Sequence, residues 1–136
     1  MLKMEVAMAM LCQIDKYHLQ LRDGDKKIGA VGMIGFFGGK VESGEEPRTT
    51  ISRELAEETN LKLSAESFRY LDSVLVLSDY KLKPVQVKAK VFEVLLPFGI
   101  VVEAKEGQLV TWTQEEILEN LNQLTPATNA FFEGYF

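Results

Sequence analysis

Three glutamates crowd one short stretch, Glu54, Glu57 and Glu58, with Arg53 as the base beside them. The spacing predicts a helix from Pro47 to about Thr59, advancing about 100° per residue. With Ile51 set at zero, Leu55 falls near 40°, which gives the helix an apolar stripe. Glu57, Glu54 and Glu58 fall near 240°, 300° and 340°, so the carboxylates share an arc of roughly 100° beside that stripe. A bare helix gains nothing from this. Glu54 meets Glu57 at i, i+3 and Glu58 at i, i+4, each a repulsion of a few tenths of a kcal/mol. All three also lie toward the C-terminal end, where the macrodipole favours cations. A divalent cation reverses the sign of the problem, and clustered carboxylate oxygens suit hard ions such as Mg²⁺ or Mn²⁺. Taken alone, the cluster still reads more readily as an acidic solvated face.

The flanking residues change that weighing. From Gly39 the chain runs five residues to Glu45, seven more, and then Arg53-Glu54-Leu55-Ala56-Glu57-Glu58-Thr59-Asn60-Leu61. This pattern resembles the signature of the Nudix hydrolase family, G-x5-E-x7-R-E-U-x-E-E-x-G-U with U a bulky aliphatic residue. Eight of its nine specified positions match, over 23 of 136 residues. Gly38-Gly39 at a strand end and Trp112 leading into Gln114-Glu115-Glu116 also fit. The one departure is Asn60, where the family has glycine. There the expectation is a left-handed residue closing the helix, a conformation asparagine tolerates next best after glycine.

The resemblance implies an α/β/α sandwich with a mixed β-sheet, the signature forming a strand, a loop and a helix. It also implies Mg²⁺-dependent (or Mn²⁺-dependent) hydrolysis of a pyrophosphate bond in a nucleoside diphosphate linked to another group. In that reading Arg53, Glu54, Glu57 and Glu58 are the catalytic residues. Glu54, Glu57 and Glu58, with the backbone carbonyl of Gly39, hold one or more metal ions that neutralise the phosphates and help activate a water. Arg53 orients carboxylates, Glu45 and Glu54 being the nearest candidates, and Glu45 organises the loop. Family members sometimes add an acidic residue from a later loop; Glu103 and Glu106 both precede a strand here, and Glu106-Gly107 sits in the more familiar context. Arg22, Phe37 and Glu106 are carried as substrate-binding candidates. The substrate class stays open among nucleoside triphosphates, damaged nucleotides and nucleotide sugars. A non-catalytic nucleotide-binding or sensor domain is the alternative, and a protein-interaction module with an acidic helix is the more distant one. Many relatives are homodimers.

Several other residues have a plainer reading. Phe36 and Phe37 suit the core of a short strand, or the lining of a base pocket. Trp112 and Tyr80 read as packing residues more than stacking ones, and His18 as a surface or packed residue. Lys81, Lys83, Lys88 and Lys90 read as a lysine-decorated sheet edge rather than a phosphate contact. Gly29-x-x-Gly32-x-x-Gly35 lacks the strand–turn–helix context of a dinucleotide fingerprint.

The elements that must carry this chemistry alternate in type. Strands are expected at Val6–Ile14, Tyr17–Arg22, Phe36–Val41, Phe68–Leu77, Val85–Leu96 and Leu109–Trp112. Asp15-Lys16 is the expected turn between the first two, and a Gly-rich loop should span Asp23–Gly35. Beyond the Pro47 helix, further helices are expected at Gln114–Leu124 and at Pro126–Tyr135, the latter with Thr125 as N-cap. All of this fits one mixed α/β domain over residues 1–136, a length that suits a single core.

Composition agrees with a folded, soluble chain, 46% hydrophobic and 26% charged. The 15 Lys+Arg set against 20 Asp+Glu leave −5. That balance argues against sequence-independent nucleic-acid binding, which needs a basic surface. Between Gly39 and Leu61, six carboxylates face three bases, so −3 of the −5 lies there. No apolar run approaches the roughly 18 residues of a membrane span, and Lys3 and Glu5 interrupt the apolar N-terminus against a signal-peptide reading. One cysteine, Cys12, makes no internal disulfide and reads as a small core residue. A reducing, cytoplasmic setting is the expectation.

Overall fold

The computed structural model describes residues 1–23 and 32–136. Most of the expected Gly-rich loop, residues 24–31, therefore lies outside the described residues. The sheet is built on β1 (Leu2–Gln13), whose residues are buried on both faces along most of its length. Such a continuous apolar run belongs to a central strand. β1 runs parallel to β6 (Lys83–Leu95) from Leu2↔Val85 to Cys12↔Leu95. Its other edge serves two partners. Leu11 to Gln13 pair with β2 (Lys16–Leu21), and Val6 to Ala9 pair with β4 (Phe37–Lys40), both antiparallel. β2 also pairs with β3 (Ile34–Gly35) and with β7 (Gln108–Thr113), and β6 with β5 (Arg69–Tyr80). One parallel pair among antiparallel ones makes the sheet mixed, as expected.

Helices cover both faces. On one side α1 (Pro47–Glu58) buries Ile51 and Leu55 against Ala7, Ala9 and Leu11 of β1 and against Phe37. On the other, α3 (Pro126–Tyr135) buries Phe131 and Phe132 against Met10, Leu19 and Phe36. This is the α/β/α layering expected of the chain. Adjacent side chains on a strand point to opposite faces, so Phe36 and Phe37 serve opposite cores. Thr125 caps α3 as expected, accepting the Thr128 amide. Among the described residues, no helix is long and apolar enough to cross a membrane.

Several expectations shift in the structure. The first turn is Ile14-Asp15, one residue earlier than expected, because Gln13 pairs with Lys16. Ile14 takes a positive φ of 57° there, an uncommon conformation for a β-branched residue. β5 and β6 meet at Lys81-Leu82, both with positive φ, the pattern of a two-residue primed hairpin turn. The lysines do not decorate an edge: β6 lies between β1 and β5, and Lys90 pairs with Glu5 at 3.3 Å. The helix expected over Gln114–Leu124 stops as α2 (Gln114–Glu119) and resumes as a 3₁₀ turn over Leu121–Gln123. Asn120 breaks it by folding its side-chain amide back onto the Glu116 carbonyl at 2.7 Å. Burial raises the Cys12 thiol to about 12, helped by Glu93, which suits a packed residue and not a reactive one.

Candidate functional site

Helix α1 begins at Pro47, whose fixed φ suits a first helical position. Glu46 supplies no side-chain cap, and the neighbouring Glu45 ties the entry loop to the helix instead. Its carboxylate accepts from the Glu42 amide at 3.1 Å, Thr50 Oγ1 at 2.7 Å, and Arg53 Nε and Nη2 at 3.0 Å each. These bonds, Arg53 first, hold the Glu45 carboxyl down at about 2. The expectation that Glu45 organises the loop fits this geometry.

Arg53 is the hub of one half of the cluster. Besides Glu45, its guanidinium reaches Glu54 Oε1 at 3.0 Å, Glu57 Oε1 at 3.6 Å and the Lys40 carbonyl at 3.3 Å. Bonding to Glu45 and the charge of Glu54 raise its pKa above the ordinary value. The three glutamates differ sharply in setting. Glu57 is exposed, with a side chain 54% accessible, while that of Glu54 is 17% accessible. Glu58 is only 2% exposed and accepts the Gly38 amide at 3.0 Å.

Two of these carboxylates thus lean on the paired glycines of β4. Glu58 bonds to Gly38, and Glu54 packs on Gly39 so closely that any β-carbon there would collide with its carboxyl carbon and Oε1. Gly39 thus leaves the space that the Glu54 carboxylate occupies. At Gly38 a β-carbon would meet the backbone of β1 at Ala7 and Met8. The glycine pair therefore forms a cradle that holds two carboxylates, Glu54 against Gly39 and Glu58 on the Gly38 amide.

Across the cradle lie β2 and the segment before β7. Gln20, 1% exposed, donates from Nε2 to the Glu106 carbonyl at 3.0 Å, while its Oε1 is buried without a hydrogen-bond partner. Arg22 lies within electrostatic reach of Glu58, Asp23 and Glu106; burial lowers its pKa, and these three carboxylates oppose that. Its Nε is buried without a hydrogen-bond partner. Glu106 is thus placed beside Glu58, its amide 3.4 Å from the Glu58 carbonyl, with Arg22 in electrostatic reach of both, a grouping the sequence suggested only separately. Glu103 is exposed. Phe37, carried as a substrate contact, is instead wholly buried beneath α1, packed with Ile51 and Leu55 against β1. Trp112 and Tyr80 are half-buried and pack against apolar clusters.

The end of α1 also departs from expectation. Asn60 has no positive φ. The chain leaves the helix extended at Thr59 (φ −138°, ψ 179°), whose hydroxyl bonds to the Leu55 carbonyl at 2.7 Å. Asn60 turns its side chain to the 101–103 segment instead, donating to the Val101 carbonyl and accepting from the Glu103 amide, both at 2.8 Å. Gln20 and this role of Asn60 were missed from sequence. A signal did exist for the first, since His18, Gln20 and Arg22 alternate with Tyr17, Leu19 and Leu21 and so share one face of β2.

The donor set fits a hard divalent cation in type, and the glycine cradle holds two of its carboxylates side by side. As they stand, no three His, Cys, Asp or Glu side chains converge on a single point among the described residues. Arg53 takes up Glu54 and Glu57, and Glu58 bonds to Gly38.

Comparison with known proteins adds the wider context. The structure resembles the MutT protein from Methanosarcina mazei Go1, at 21% identity and a TM-score of 0.75, covering 98% of this chain and 93% of that one. It resembles the E. coli ORF135 protein at 26% identity and a TM-score of 0.69, covering 99% and 89%. It also matches part of a bifunctional NMN adenylyltransferase/ADP ribose pyrophosphatase from Francisella tularensis, complexed with AMP and a Mn ion. There the identity is 16% and the TM-score 0.68, over 96% of this chain and 40% of that one. A comparison with curated protein sequences found no match. A family model, NUDIX domain, matches residues 3–133, nearly the whole chain. On that match, together with the layered mixed sheet and the signature from Gly39 to Leu61, the chain belongs to the NUDIX domain family.

Proposed function

We propose that this chain is a pyrophosphohydrolase that cleaves a nucleoside diphosphate linked to another group, with Mg²⁺ or Mn²⁺ as its metal. The observation that carries the reading is the cradle: Glu54 and Glu58 rest on Gly39 and Gly38, with Glu57 one turn away on the same helix. Glu54, Glu57 and Glu58 would hold the ion, with the Gly39 carbonyl as a further donor. When bound, the metal supplies charge neutralisation at the phosphates and an acidified water. The chain's own residues do the positioning. Arg53 holds Glu54 and Glu57 in place and, through Glu45, fixes the entry loop against α1. Arg22 offers a half-buried guanidinium to a substrate phosphate, and Glu106 a carboxylate within electrostatic reach of it. Phe37 drops out of this reading because it is buried.

The F. tularensis protein was seen with AMP and a Mn ion, which supports a nucleotide substrate and a divalent metal here. The reading takes residues 1–136 as one catalytic domain in a cytoplasmic setting, with a homodimer as its assembly. Phosphate release across a panel of nucleoside triphosphates, oxidised nucleotides, ADP-ribose and nucleotide sugars, with Mg²⁺ or Mn²⁺, tests it. Turnover of at least one, abolished by a chelator, is expected. Tight nucleotide binding without any turnover would favour a sensor domain instead. The observation behind that second reading is Arg53, which already pairs with two of the three glutamates.

A further inference from the structure

The loop before β7 is stitched to α1 at an unusual place. Glu58 accepts on its backbone carbonyl from the Lys105 amide at 2.6 Å and the Glu106 amide at 3.4 Å. Thr59 forms an isolated antiparallel bridge with Ala104, and the Asn60 amide donates to the Glu103 carbonyl at 3.2 Å. These are main-chain bonds, open to any residue. The side chain of Asn60 adds two more, to the Val101 carbonyl and the Glu103 amide. A primary amide carries an acceptor oxygen and a donor NH2 in one plane, so it can bond to a carbonyl and an N–H of one extended segment. Glycine offers neither group, and aspartate offers only the acceptor.

On its far side the same loop is held by β2. Gln20 bonds to the Glu106 carbonyl, and Gly107 (φ +66°) lies against the Leu21 carbonyl where no β-carbon fits. Glu106 thus sits between two anchors, one on β2 and one at the end of the metal-binding helix. We propose that Asn60 is a positioning residue, which holds the 101–106 loop so that Glu106 stays beside Glu58 and Arg22. The proposal rests on the hydrolase reading above for its catalytic consequence, though the clamp itself does not. It also gives the asparagine a task at the one position where the chain departs from its family's signature.

The test is a double-mutant cycle read beside amide exchange. Asn60→Gly should speed exchange of the Glu103 amide about tenfold, since its acceptor, Asn60 Oδ1, is lost. On the best panel substrate it should lower kcat about tenfold, with KM within about twofold and the thermal midpoint nearly unchanged. In a Glu106→Gln background the same change should cost nothing further. Asn60→Asp, keeping the acceptor, should recover part of both effects. Unchanged exchange at Glu103 would overturn the clamp, whatever the activity. An equal loss of kcat with and without Glu106 would show that Asn60 acts elsewhere, and a fully active Glu106→Gln would leave nothing to position. If wild-type protein turns over no panel member, the hydrolase reading fails and with it the catalytic role; the exchange result then decides the clamp alone.

Discussion

Replacing each glycine of the cradle by alanine should separate geometry from stability. At Gly39 the added methyl would run into the Glu54 carboxylate, with Oε2 at 2.9 Å and the carboxyl carbon and Oε1 nearer still. Ordinary carbon contacts need about 3.5 Å, so the carboxylate must retreat by about 1 Å. It is the end of a flexible side chain, and Gly39 has no special backbone conformation. The cost is therefore small: part of a half-exposed ion pair with Arg53, worth under about 1 kcal/mol, offset by about 0.5–1 kcal/mol from replacing a strand glycine. The thermal midpoint should move by only a few degrees. Catalysis should suffer far more, since a misplacement of about 1 Å at a reacting centre costs on the order of a hundredfold.

Gly38→Ala should do the reverse. Its φ of +148° favours glycine, and a methyl there meets the Ala7 carbonyl and lies 2.8 Å from the Met8 Cα, neither of which can step aside. Overpacking and backbone strain of about 1–3 kcal/mol each predict a loss of about 2–6 kcal/mol. For a chain of this size that amounts to roughly 10 °C or more. Differential scanning calorimetry and kcat/KM on one substrate, measured for both variants, form the assay. A folded Gly39→Ala with normal kcat/KM would refute the claim that Glu54's position matters. A Gly38→Ala as stable as wild type would refute the strand-contact argument.

Three further outcomes are expected. Glu57→Gln and Glu58→Gln should each lower kcat by about two orders of magnitude with near-native circular dichroism, because each loses a negative oxygen proposed to hold metal; wild-type turnover in both would overturn the assignment. Glu45 has its carboxyl lowered from 4.5 to about 2 by Arg53 and Thr50, so its contribution is fully present above pH 4.5 and is lost as pH falls toward 2. Urea melts should show Glu45→Gln with a flatter pH dependence in that window, and an unchanged slope would contradict it. Burial, with Lys16, lowers the pKa of His18, whose Nε2 meets Gln13 Oε1 at 2.8 Å and whose Nδ1 meets Thr111 Oγ1 at 2.9 Å. The unfolded chain therefore takes up that proton first, so stability should fall as pH drops below 6.5, and His18→Gln should remove that component of the slope in the same melts.

Much of α1 was legible because a helix imposes a period that the sequence must obey. The angles put Glu58 nearest the apolar stripe, Glu54 next and Glu57 farthest. The structure has them buried, intermediate and exposed in that order. The pairing of Arg53 with Glu45 and Glu54 was legible for a similar reason, since all three lie within one loop and one helix. Phe37 was not, because alternation says that adjacent aromatics face opposite ways without saying which way lies the cleft. The lysines of β6 misled because a polar strand face looks like a sheet edge until the neighbouring strands are known. Asn60 was noticed, yet read locally as a helix cap, when its partners lie 41 and 43 residues away.

By itself, then, the sequence determined the signature, the carboxylate arc and the order of burial along it, because these follow from spacings within one element. Tertiary structure decided which glycine receives which carboxylate, and that Arg22 lies within electrostatic reach of Glu58 and Glu106. It also decided that the loop before β7 is pinned by Asn60. Those pairings are set by how β1 shares its edge between β2 and β4, and by where β7 lies against β2. Such long-range register leaves no periodic trace in the chain, because it depends on the cores both faces of the sheet must bury.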